Sequence, residues 1–142
     1  MPLYRAYNPA TTDHFYTMYQ YEYNFAVTNQ GYLGDGVACK IFQDAGAGTS
    51  PLYRLYSSEG TDHFYTTDLQ GAVLAAANLG YTWEGIVGHV FTDTKCGGKP
   101  FHRLFHPAIV DHFYTTSIAE RDGAIQQFGY VSEGIAAYVI PA

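Results

Sequence analysis

The sequence predicts an α+β fold: one domain of three β-β-α-β units of about 49 residues, set around a pseudo-threefold axis like a small propeller or a trefoil with added helices. Three observations lead there. The pentapeptide Asp-His-Phe-Tyr-Thr begins at Asp13, Asp62 and Asp111, a spacing of 49 residues each time. Laid over one another at that period, residues 2–50, 51–99 and 100–142 agree at eleven positions, represented in the second copy by Pro51, Arg54, Asp62, His63, Phe64, Tyr65, Thr66, Ala75, Gly80, Tyr81 and Gly85. Finally, 142 residues suffice for one core of ordinary size, whereas a 49-residue unit cannot bury its own apolar face, so the copies must share a core in a domain spanning 1–142.

Each copy opens with an aromatic-rich run (PLYRAY, PLYRLY, PFHRLF), a turn of small and polar residues, and then DHFYT, which reads as a hairpin. A loop of about five residues would set Tyr56 opposite Asp62 and Leu55 opposite His63. That register makes Arg54 and Asp62 diagonal neighbours, so Arg5–Asp13, Arg54–Asp62 and Arg103–Asp111 are expected as structural ion pairs. The other face then carries Tyr53, Leu55, His63 and Tyr65.

Helical signals follow. Ser117 and Glu120 have capping-box spacing, Asp68 stands at the same cap position, and Gly80 and Gly129 suit a left-handed C-terminal cap. LQGAVLAAANL is Ala-rich and fits close against a sheet, whereas YQYEYNFAVTNQ in the first copy is bulkier and a weaker helix signal. Each copy ends with Tyr-x-x-acid-Gly and a β-branched run, in which alternation assigns Val37, Cys39 and Ile41, Ile86, Gly88 and Val90, and Ile135, Ala137 and Val139 to the core face. Cys39, Gly88 and Ala137 share one column, a small buried position, while Cys96 sits in the loop TKCGGK; a Cys39–Cys96 disulfide stays open.

Charge narrows the partners. A net charge of −6 with only seven Lys and Arg leaves no basic stripe for nucleic acid or anionic membranes. No apolar run is long enough to span a bilayer, and MPLYRAY lacks signal-peptide character, which leads to an expectation of a cytoplasmic protein or one released by a non-classical route. Fourteen Tyr, each pairing an apolar ring face with a hydroxyl, suit a surface that binds neutral, polar rings.

The candidate ligand residues are therefore the repeated rings Tyr53, His63 and Tyr65, with Tyr4, His14 and Tyr16, and His102, His112 and Tyr114, joined by the acidic column Asp35, Glu84 and Glu133 and by the single Trp83. A sugar offers apolar C–H faces flanked by hydroxyls, which such rings and carboxylates satisfy. Each has a structural alternative: His and Tyr as core with satisfied polar tips, the acids as caps of local amides. His14, His63 and His112 could instead converge on a metal, but a period of 49 does not itself signal ligation. Catalysis is not expected, because no nucleophile motif is present and active sites are asymmetric, whereas weak binding sites gain from multiplication. No cofactor is expected.

The pattern PLYRLY…TDHFYTT…LGY…EGIVGHVF resembles a sparsely characterised repeat family of fungi and bacteria, whose repeats occur alone or appended to secreted hydrolases. The resemblance covers essentially the whole chain. It implies a non-catalytic accessory or lectin-like module. Together with the repeated rings, this gives the expectation of up to three weak, unequal sites for glycans or glycoproteins on a monomer or small homo-oligomer. The rival expectation is a protein-interaction or inhibitor module. The first copy departs from the pattern at Gly34-Asp35-Gly36, which sets its site apart, and the second, with Trp83, is expected to bind best.

Overall fold

A hairpin of β1 (Pro2–Asn8) and β2 (Asp13–Thr17) is followed by helix α1 (Gln20–Asn29) and strand β3 (Leu33–Lys40). The same order returns as β4 (Thr49–Ser57), β5 (Asp62–Thr66), α2 (Leu69–Asn78) and β6 (Thr82–Phe91), and again as β7 (Lys99–His106), β8 (Asp111–Thr115), α3 (Ile118–Gln127) and β9 (Val131–Pro141). The computed structural model describes all residues from Met1 to Ala142. The nine strands form an antiparallel sheet that does not close into a barrel, and no helix is long and apolar enough to cross a membrane.

In each hairpin the first strand is central. β4 pairs β5 on one side and β6 on the other, as β1 does with β2 and β3, and β7 with β8 and β9. The observed register sets Ser57 opposite Asp62, Tyr56 opposite His63 and Arg54 opposite Tyr65, one residue off the expected pairing. The loops hold four residues rather than five, each closed by a non-glycine residue in the left-handed region: Thr12, Thr61 and Val110 at φ of 57°, 50° and 52°. A one-residue slip moves a side chain to the opposite face. Arg54 therefore shares a face with His63 and Tyr65, and the expected Arg54–Asp62 pair, with its two counterparts, is not formed.

The helices end where Gly31, Gly80 and Gly129 take φ near +75° to +79°, turning the chain so that the next Tyr N–H returns to Ala26, Ala75 or Ala124 O. α1 forms in spite of its bulky sequence. Ser117 caps α3 by accepting from Glu120 N at 3.1 Å; Asp68 makes no corresponding bond.

The third strands place only part of their expected face inside. Cys39, Ile41, Val90, Ala137 and Val139 are buried, but Val37, Ile86 and Ile135 are exposed. A bulge at Ala38, Val87 and Ala136 breaks the alternation. Gly88 must be small, since a Cβ there would meet Ile41 Cδ1 at 2.6 Å and the backbone of Phe42. Both cysteines are free thiols, Cys39 buried and Cys96 exposed.

One apolar cluster draws on all three copies, including Leu3, Leu52 and Phe101 with Tyr16, Tyr65 and Tyr114. The copies also join through strand ends, with Cys39 opposite Pro141, Phe91 opposite Tyr138, and a bridge from Phe42 to His89.

Candidate functional site: the seams between copies

The strands β2, β5 and β8 each pair with one neighbour only and so present an unpaired edge. Side chains from the next copy complete it. Tyr65 Oη accepts from Tyr16 N at 2.7 Å and donates to Tyr16 O at 2.8 Å; Tyr114 Oη does the same for Tyr65, and Tyr16 Oη for Tyr114. The three rings meet edge to face with centroids 5.3–5.4 Å apart. One turn of the edge further, carboxylates take over. Asp13 accepts from His63 N (2.9 Å) and His63 Nδ1 (2.6 Å), Asp62 from His112, and Asp111 from His14. Each carboxylate also accepts a tyrosine hydroxyl from its own copy: Tyr32, Tyr81 and Tyr130.

DHFYT is thus an edge strand whose backbone is satisfied by its own repeats. That explains why its Asp, His and Tyr recur and why Tyr16, Tyr65 and Tyr114, expected on a ligand face, are fully buried with both hydroxyl functions used. Asp13, Asp62 and Asp111 bring oxygens within 4.8 Å of one another, a spacing that would suit an ion. Each already accepts from a backbone amide, an imidazole and a phenol, so the trio reads as a hydrogen-bonded structural network. The three imidazoles turn onto these carboxylates instead of converging on a common point.

Outside this network each seam builds a second layer. Arg54 stacks over Phe15 of the preceding copy at 5.2 Å, Arg103 over Phe64 at 5.2 Å, and Arg5 over Phe113 at 5.3 Å. Arg54 Nε bonds Glu84 at 2.9 Å, and both its Nη groups grip Glu22 of α1 at 2.9 and 3.0 Å. Arg5 repeats this with Asp35 and with Glu120 of α3. Arg103 has Glu133 at 3.0 Å but no helix carboxylate, because Gly71 stands in that column.

Each seam also holds an open cleft, bordered by Arg54 in the first, Arg103 in the second and Glu120, the partner of Arg5, in the third. The first, about 440 Å³, is bordered by Phe15, Tyr32, Tyr56, Arg54 and Glu84 with the polar ends of Asn8 and Gln30. The second, about 380 Å³, has Phe64, Tyr81, Phe105, Leu79, Arg103 and Glu133. The third, about 470 Å³, has Phe113, Tyr130, Tyr7, Ile109, Phe128 and His14. These are volumes typical of small-ligand sites.

The expected site residues divide accordingly. His14, His63 and His112 border the clefts, as do Glu84 and Glu133, whereas Asp35 reaches only Arg5. Tyr53 and Trp83 pack on each other (5.0 Å) outside the clefts, as Tyr4 does on Tyr23 (5.0 Å). His102 is likewise outside, its pKa lowered by burial and then by Arg121 nearby. What the sequence reading passed over is the seam layer itself: the invariant Phe64 and Tyr81 columns, the Arg54 column, expected to pair within its own hairpin, and the pair Glu22 and Glu120, 98 residues apart and thus in one column.

Carboxylates and imidazoles set one another's charge. Burial would push His63 down, but Asp13 on Nδ1 and Glu84 3.4 Å from Nε2 outweigh it and raise it to about 8. His112 is raised in the same way by Asp62 and Glu133. Burial would raise Glu84, yet His63 and Arg54 bring it below the ordinary carboxylate value; Glu133 is lowered by His112 and Arg103, Glu120 by Arg5.

Comparison with known proteins finds one family model, described as a domain of unknown function (DUF5648), that matches residues 2–140. No curated protein and no solved structure matches.

Proposed function

Because the chain belongs to this family of unknown function, which carries no activity by name, we propose from the seams themselves that it is a carbohydrate-binding, lectin-like module whose sites lie between copies arranged about a pseudo-threefold axis. The observation that carries the reading is the recurrence of one cleft type at three seams, each with an aromatic face, a tyrosine, a histidine and a carboxylate, the arginine itself bordering the first two and reaching the third only through Glu120. A pyranose lays its C–H face on Phe15 or Tyr56 and directs hydroxyls to Arg54, Glu84 and Asn8. The protein acts by binding, with glycans or glycoproteins as partners and no catalytic step.

The seams are unequal. The first is rich in polar ends, and the other two carry Leu79, Val110, Ile109 or Phe128 in their walls. Single sites this open are weak, on the order of millimolar or roughly 4 kcal/mol, and gain from engaging several residues of a multivalent glycan. A glycan array with the purified protein, followed by titration with a monovalent sugar, tests this. Signals that free sugar competes away support it; silence across the array overturns it.

One observation favours the rival protein-interaction reading: α2 turns Leu69, Val73 and Leu74 outward, and Leu79 just beyond its end is exposed as well. A protein captured through α2 and lost on Leu74→Glu, with the array silent, would decide for it.

A further inference from the structure

We propose that the seam between the second and third copies is a carboxylate-binding site, built around Arg103, that takes a hexuronic acid residue of an acidic glycan. The inference deepens the sugar reading and rests on it for the body of the ligand. It rests on the protein alone for the carboxylate.

The other two seams display the arrangement already filled. In each, a glutamate from the first turn of the preceding helix lays both oxygens on the two Nη groups of the arginine: Glu22 on Arg54 at 2.9 and 3.0 Å, Glu120 on Arg5 at 3.0 and 2.9 Å. Thr115 also donates its hydroxyl to Glu120. A bidentate pair of this kind fixes the position and plane of a carboxylate.

At Arg103 the same seat has no carboxylate in it. The residue in the Glu22 and Glu120 column is Gly71, which has no side chain. Neither Nη of Arg103 meets a protein acceptor, while its Nε is buried and, although 3.0 Å from Glu133, misaligned for a hydrogen bond. Its side chain is 23% exposed, against 13% for Arg5 and Arg54. Thr66, in the Thr115 column, accepts from Asp68 N at 3.0 Å and keeps its own hydroxyl proton without an acceptor. Two guanidinium Nη groups and one hydroxyl thus remain as donors around the place a carboxylate occupies in both other seams. Asp68, exposed on the same helix, lies beyond ion-pair reach of Arg103 and does not fill the seat.

Charge permits an anion there. Arg5 and Arg54 each carry two carboxylates in their seams, and Arg103 carries one, so a ligand carboxylate brings the third seam level with the others. The ligand body then enters the cleft that Arg103 borders, against Phe64, Phe105 and Leu79. A ring bearing both an apolar face and a carboxylate meets these demands together; of the sugars that carry one, a hexuronic acid holds its carboxylate equatorially on C5, so that it can enter the seat while the C–H face lies on Phe64 or Phe105.

The experiment is titration of the whole chain, followed by NMR, with methyl β-glucuronide, methyl β-glucoside and benzoate. Glucuronide is expected to bind at one site per chain at least tenfold tighter than the glucoside, with weakening in high salt. Gly71→Glu supplies the protein's own carboxylate; the added Cβ meets only the mobile end of Asp68, at 2.9 Å, so the helix accepts it, and glucuronide preference should vanish. Glu120→Gly empties the seat on Arg5 and should raise the stoichiometry to two. Equal affinity for glucuronide and glucoside in the native chain overturns the proposal, and so does undiminished glucuronide binding by Gly71→Glu. Benzoate binding as tightly as glucuronide, and lost on Gly71→Glu, overturns the uronate and leaves a general carboxylate seat. Binding of the neutral glucoside at the first cleft, which Gly71→Glu does not touch, reports on the lectin reading separately.

Discussion

The hydroxyl of Tyr65 holds both backbone groups of Tyr16, accepting from its N–H at 2.7 Å and donating to its C=O at 2.8 Å, so that one side chain does what a neighbouring strand would do. Removing that oxygen strands two buried backbone groups, each worth about 1–3 kcal/mol of desolvation. Tyr65→Phe should lower stability by roughly 2–6 kcal/mol on that basis and accelerate hydrogen exchange at the Tyr16 amide above all others. An unchanged melting temperature would show that the hydroxyl bridge is dispensable.

Asp62 is tied to His112 across a seam and not to Arg54 within its own hairpin. Breaking a buried pair typically costs about 3–5 kcal/mol, so Asp62→Ala should be severely destabilising. A double-mutant cycle separates the partners: Asp62 and His112 should couple by more than about 1 kcal/mol, and Asp62 and Arg54 by almost nothing. Coupling to Arg54 alone would restore the within-hairpin pair.

The pH dependence follows from the same contacts. His63, at about 8 when folded against 6.5 unfolded, contributes stability that is complete below pH 6.5 and is lost as pH rises through about 8. Glu22, Glu84, Glu120 and Glu133 are held below 4.5, so their contribution is present above pH 4.5 and is lost as pH falls. Melting temperature should therefore plateau between about 4.5 and 6.5 and decline on both sides, with His63→Gln flattening the alkaline decline. Rising stability from pH 6.5 to 9 would contradict this assignment.

Trp83 and Gly34 occupy one column, and their helices compensate: a Cβ on Gly34 would meet the Tyr23 hydroxyl at 2.2 Å, whereas the Tyr23 column in the second copy holds Ala72. Gly34→Ala should destabilise the native chain by roughly 1–3 kcal/mol through overpacking, and a simultaneous Tyr23→Ala should recover most of it. Trp83→Ala should leave sugar affinity at the seams unaltered. Loss of the strongest site on that change would move the binding surface back to the outer face, where sequence reasoning put it.

The units, their order and the shared core were legible because strand alternation, the Gly stops and the 49-residue period are local or periodic signals. The hairpin register was not. It turns on Thr12, Thr61 and Val110 adopting positive φ, which their side chains do not advertise, and the resulting slip put Arg54 and Asp62 on opposite faces. The seams were illegible for another reason: their partners lie in different copies, so His63 meets Asp13 and Arg54 meets Glu22 at separations no local pattern marks. His, Glu and Tyr could be picked out as chemistry-bearing columns, but not which of them the core would consume.

Cys39 has Leu3 on one side and Pro141 on the other, so the first and last strands lie along opposite edges of β3. Both ends of the chain therefore emerge at one place on the surface. Joining them with a short linker and cutting instead in the loop between Phe91 and Lys99 should yield a circularly permuted protein that keeps every inter-copy bond described above. Cargo fused to either terminus would likewise leave from that one corner, with the three clefts unobstructed.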